Sequence, residues 1–208
     1  MEENIKKALD FYYLATSLKY KIRTGWIYWN LQSDRFESIA EHIYGTCILA
    51  ISLDSEFNFN IDLNKTVKML VIHELEECII GDQTPFDMPI EEKEKQGHLA
   101  INQILKDLIK GQELEELILE FDKKDTKEAK FAYLCDKLEA DLQSKYYDDN
   151  GYLDLNNQPN NPALSSSKVQ DIIKDGNSKV SDIWIEFDKD KFSDDETFSK
   201  IIKYIKQK

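Results

Sequence analysis

The sequence predicts an all-α protein, and three observations carry that prediction. Gly and Pro are scarce, 7 and 4 in 208 residues, so few positions can break or turn the chain. Apolar residues recur at helical spacing, as at Ala8, Phe11, Leu14 and Leu18. Helix-start patterns precede other apolar runs, and Ser38 with Glu41 has the form of a capping box.

The first helix is expected over residues 5–20. Residues 21–36, crowded with Arg23, Gly25, Trp26, Tyr28, Trp29 and Asn30, have no clean period and read as an ordered loop. Ser38 then opens a helix to about residue 53. The next runs from near Asp62 to Ile80, where Gly81 supplies a stop and Thr84-Pro85 continues the turn. Charged helices follow over 90–108 and 112–121. Asp125 and Glu128 give a second capping signal, opening a helix through Phe131, Leu134, Leu138 and Leu142 to about residue 147. Residues 148–161, rich in Asn, form the clearest loop. Asn161-Pro162 starts another helix that Gly176 closes, and Ser193 with Glu196 signals a last one to about residue 205. Residues 183–187 are the one stretch that reads as a strand.

Composition narrows the function. No apolar run approaches the roughly 20 residues of a membrane span, and the charged N-terminus lacks a signal core. Cys47, Cys78 and Cys135 lie in apolar helical settings without CxxC spacing, as buried reduced thiols of a cytoplasmic protein do. A net charge of -13 repels nucleic-acid backbone but accepts a small anion in one cationic pocket. The expected partner is a small molecule, with no nucleic acid and no membrane.

Residues 71–82 carry the most information. His73 stands beside Glu74 inside an apolar run, and burying both is costly unless something satisfies them. Of the three histidines, His42 lies one turn inside a helix, His73 well inside the next, and His98 in a polar helix like a surface residue. On a helix Glu77 follows His73 by four residues and Glu74 by three, so the three share a side. Asp136, on a later apolar helix, is a fourth candidate. Two imidazoles with two carboxylates suit one divalent transition metal, such as Mn, Co, Fe, Ni or Zn. Such a metal polarises a phosphoryl oxygen and brings a bound water to a pKa of about 7, and Glu77 is the carboxylate placed to act on that water. Spacing alone leaves open both iron-dependent oxygen chemistry and a purely structural role for these residues.

The ordered series Arg23-Thr24-Gly25-Trp26, Ser38 through His42, His73-Glu74 with Glu77 and Gly81-Asp82, Thr84-Pro85 and finally Asp136 resembles the HD-domain metal-dependent phosphohydrolases. It is most similar to their 5'-deoxynucleotidase branch. The match covers about residues 5–147. It implies an HD-type helical bundle over 1–148, with 149–208 as a C-terminal helical extension packed on the same domain. It also implies that His42, His73, Glu74 and Asp136 hold the metal and that Glu77 positions the water. Arg23 would grip the 5'-phosphate, Trp26 would pack near the substrate, and Asp82 would hold the deoxyribose side. The implied activity is hydrolysis of (deoxy)nucleoside 5'-monophosphates to nucleoside and phosphate by a homodimer. One position departs: the family doublet is His-Asp, and here it is His73-Glu74. The added methylene moves the carboxylate by about 1 Å or more. The alternative reading is therefore a catalytically weakened nucleotide-binding or interaction protein on the same fold.

Overall fold

The computed structural model describes residues 1–207, and every regular element in them is a helix. The one strand-like pairing among them is a single antiparallel bridge between Ile22 and Ser38. In chain order the helices are α1 (Glu2–Thr16), α2 (Thr24–Tyr28), α3 (Ile39–Phe57), α4 (Leu63–Ile72), α5 (Glu77–Ile80), α6 (Ile90–Leu105), α7 (Gly111–Lys123), α8 (Lys127–Asp149), α9 (Ser167–Lys174), α10 (Val180–Asp188) and α11 (Glu196–Lys206). No described helix is long and apolar enough to cross a membrane.

The chain forms two compact units, Met1–Thr24 with Glu37–Tyr133, and Gly25–Phe36 with Leu134–Lys208. The division falls inside α8, between Tyr133 and Leu134.

In the first unit the capping box is complete. The Ser38 hydroxyl accepts from the Glu41 N–H at 3.3 Å, and Glu41 Oε2 accepts from the Ser38 N–H at 2.8 Å. This fixes the start of α3 and aims its fourth residue, His42, into the core. Helix α3 packs on α4, and α6 on α5 and α7. Asp62 caps α4, accepting from the Lys65 N–H at 3.1 Å.

The single helix expected over 62–80 is two helices. Helix α4 ends at Ile72, residues 73–76 form turns, and α5 is one turn long. The backbone tightens there to three-residue hydrogen bonds, Leu75 N–H to the Ile72 carbonyl and Glu77 N–H to that of Glu74, both 3.2 Å. The cause is visible at His73, whose ring takes the Leu70 carbonyl that residue 74 would use in a continuous α-helix. Gly81, at φ 75°, ends α5 as expected.

In the second unit, the region read as a loop contains most of α2. Trp26 is fully buried, stacked on Trp184 at 4.8 Å and edge-on to Tyr147 at 4.9 Å. The stretch read as a strand, 183–187, lies in α10. Five apolar-rich residues are too few to separate the two periods, and the backbone is helical throughout Val180–Asp188. Helix α11 is capped by Asp195, which accepts from the N–H groups of Thr197 and Phe198.

Candidate metal centre

Three side chains of the first unit converge. His42 is fully buried on α3, and His73 is buried at the end of α4. His73 Nδ1 lies 2.7 Å from the Leu70 carbonyl. A carbonyl only accepts, so Nδ1 carries a proton, and in the neutral ring the lone pair is then on Nε2. Glu74 follows on the turn, with Oε1 3.5 Å from His73 Nε2 and 3.9 Å from His42 Nε2. All three donor atoms lie within 4.8 Å of one another. Ligands about 2.1 Å from a shared ion stand about 3.0–3.5 Å apart, so a small contraction lets these three share one. Imidazole ligands ordinarily donate their second N–H to a carbonyl or carboxylate, and His73 does so. The donor set fits a divalent transition metal.

Asp136 belongs to the second unit, where it is buried with Oδ2 paired to Lys137 Nζ at 2.8 Å.

Arg23 is anchored through its backbone N–H to the Glu37 carbonyl at 3.0 Å, and its Nη1 lies 3.5 Å from Glu74 Oε1. Burial works against the guanidinium charge, but the carboxylates of Asp82, Glu74, Glu37 and Glu77 outweigh it and hold the group protonated. Asp82 is fixed by Thr24, whose N–H donates to Oδ2 at 2.5 Å and whose hydroxyl donates to the Asp82 carbonyl at 2.8 Å.

A family model described as HD domain matches residues 15–184. The chain belongs to the HD domain family. It is 34% identical over 147 residues to the human protein 5'-deoxynucleotidase HDDC2, covering 69% of this chain and 70% of that one. The Schizosaccharomyces pombe protein 5'-deoxynucleotidase hdd1 is 35% identical over 147 residues, 66% of this chain and 72% of its own. A solved structure of a conserved hypothetical protein from Pyrococcus furiosus shares the fold, with a TM-score of 0.66 at 24% identity over 96% of this chain and 99% of that one. Family membership bears out the resemblance drawn from the Arg23, His42, His73 and Asp136 motifs, and the HD model extends it to residue 184.

Within this HD domain, Glu77 opens α5 fully buried. Burial, with the charges of Glu74 and Asp82, pushes its pKa well above the usual carboxylate range, opposed by Lys93 and Arg23. Its backbone carbonyl accepts from Lys21 Nζ at 2.7 Å, and its Oε1 accepts from Lys93 Nζ at 3.0 Å. Burial lowers the Lys93 ammonium, but Glu74, Glu77 and Glu76 more than compensate and keep it charged.

Neither lysine was legible as a site residue. Lys93 sits in a charged helix that reads as a solvated face. Glu76 was also missed. Burial and the Glu74 charge push it up to about 8, and Gly97 of α6 gives it room, since a Cβ there would meet Glu76 Cγ at 3.3 Å. Trp26, expected near the substrate, has no exposed surface of its own.

Proposed function

We propose that the chain is a metal-dependent phosphomonoesterase releasing phosphate from (deoxy)nucleoside 5'-monophosphates. The observation that carries this reading is the convergence of His42, His73 and Glu74 beside the buried guanidinium of Arg23. A cation site next to a fixed guanidinium suits a phosphate dianion. The names of the human and S. pombe relatives point to the same substrate class.

In this reading His42, His73 and Glu74 hold the metal, and Asp136 completes the set by the family pattern. When bound, the metal supplies a Lewis acid for a phosphoryl oxygen and makes a water acidic near neutral pH. Arg23 binds the phosphate and fixes its orientation. Glu77 holds the attacking water and accepts its proton. Water oxygen bonds to phosphorus as the ester bond to the 5'-oxygen breaks, and the nucleoside leaves as an alkoxide that takes up a proton. Asp82 faces the sugar. Trp26 acts through packing.

Glu74 reaching towards both imidazoles supports activity over the weakened-binder reading. We also propose that the chain acts as a cytoplasmic homodimer. Exposed Tyr44, Ile48 and Ile51, spaced four and three residues apart on α3, are consistent with a second copy packing there.

The test is phosphate release from a panel of ribo- and deoxynucleoside 5'-monophosphates with Mn or Co added. Release that chelator abolishes and metal restores is expected. No release from any member with any of the metals sinks the reading.

A further inference from the structure

We propose that Lys93 is a positioning residue whose ammonium straps the Glu77 carboxylate to the loop that carries Asp82. Lys93 lies one turn into α6, its N–H bonded to the Pro89 carbonyl at 3.0 Å. Its Nζ donates to Glu77 Oε1 and to the Gln83 carbonyl, both at 3.0 Å. Gln83 follows Asp82, and its amide donates back to the Ile80 carbonyl at 2.9 Å, closing the loop on the end of α5. One cation on α6 therefore holds the Glu77 side chain and the backbone beside Asp82.

Among the described residues Lys93 gives Glu77 the one hydrogen bond its carboxylate receives, because Glu77 Oε2 is buried without a partner. That division has a consequence. With Oε1 tied, the plane of the carboxylate is set and Oε2 is left to take a water. An untied carboxylate would rotate, and misplacing a reacting group by about 1 Å can cost about 100-fold in rate. Support of this kind from outside the reacting groups is what holds a site within working tolerance. Lys21 does the parallel work on the main chain, donating to the carbonyls of Glu77 and Cys78. The two lysines thus fix α5 from its backbone and from its side chain.

This assignment rests on Glu77 acting on water as proposed above. The experiment compares wild type, K93M and K93R by steady-state kinetics, and by hydrogen exchange of the metal-free chain without substrate. K93M is expected to lower kcat about 10–100-fold with KM within about threefold. K93R, which keeps donors in reach of both acceptors, should recover most of the loss. A residue that only stabilised the fold would not give that split or that rescue. Exchange across residues 81–88 should quicken several-fold in K93M while α3 stays unchanged. If K93M fails to fold, K93Q takes its place in both measurements. A kcat within twofold of wild type overturns the proposal, as does unchanged exchange over 81–88. If wild type hydrolyses none of the panel, the phosphatase reading fails by itself, and the exchange comparison alone decides the strap.

Discussion

At the scale of single residues, Glu74 is where the chain leaves its family pattern, and the structure gives the longer side chain work to do. Its Oε1 stands within 3.9 Å of both imidazole Nε2 atoms and 3.5 Å from Arg23 Nη1. An aspartate would draw that oxygen back by about 1.5 Å, away from His42 and Arg23 together. In the proposed metal site that reach belongs to the glutamate, so restoring the family residue should weaken binding. Glu74→Asp is expected to lower affinity for Mn or Co about tenfold, the low end of what disturbed metal sites lose, read by calorimetric titration without substrate. Tighter binding in the variant would mean that the backbone is set for aspartate and that the methylene is a burden.

Among the elements, the close approach of α6 and α7 shows how a helix start can be fixed by one missing atom. A Cβ on Gly111 would stand 2.0 Å from the Leu105 carbonyl oxygen and 2.9 Å from its carbon. Both are backbone atoms and cannot swing aside. Gly111→Ala should therefore cost about 1–3 kcal/mol, seen as a lower urea midpoint. A change under about 0.5 kcal/mol, the usual scatter of harmless substitutions, would show that the 106–110 connection moves freely. Legibility follows the range of the interactions. The start of α3 was readable because Ser38 and Glu41 satisfy each other within one turn. The break after Ile72 was not, because it depends on which partner the His73 ring chooses. Helices α2 and α10 were missed because the partners Trp26 and Trp184 lie at opposite ends of the sequence. In the site, His42, His73, Glu74 and Glu77 stood out as polar residues in apolar runs, whereas Lys93 among charged neighbours carried no such contrast.

For the molecule as a whole, an acidic chain of net charge -13 is ordinarily expected to gain stability as its carboxylates ionise in favourable surroundings. Asp141 works in the opposite sense. It is fully buried on α8, and among the described residues neither of its oxygens has a hydrogen-bond partner. Burial first, and then the Asp188 charge, push its pKa well above the usual aspartate value, against the pull of Lys191 and Lys137. The folded state therefore holds a proton that the unfolded chain releases at lower pH. The resulting stabilisation is fully present below the unfolded aspartate value and is lost as pH rises towards and through the raised folded value. Asp141→Asn keeps the shape and removes the titration. Relative to the variant, wild type should lose stability with rising pH at no more than about 1.4 kcal/mol per pH unit. The variant should be the more stable protein at pH 8, and the two should converge near pH 4. Urea denaturation of the chelated proteins across that range reads both slopes. Parallel stability curves would mean that Asp141 is ionised in the folded chain and that Lys191 and Lys137 neutralise it, leaving the burial of this carboxylate without influence on how the protein responds to pH.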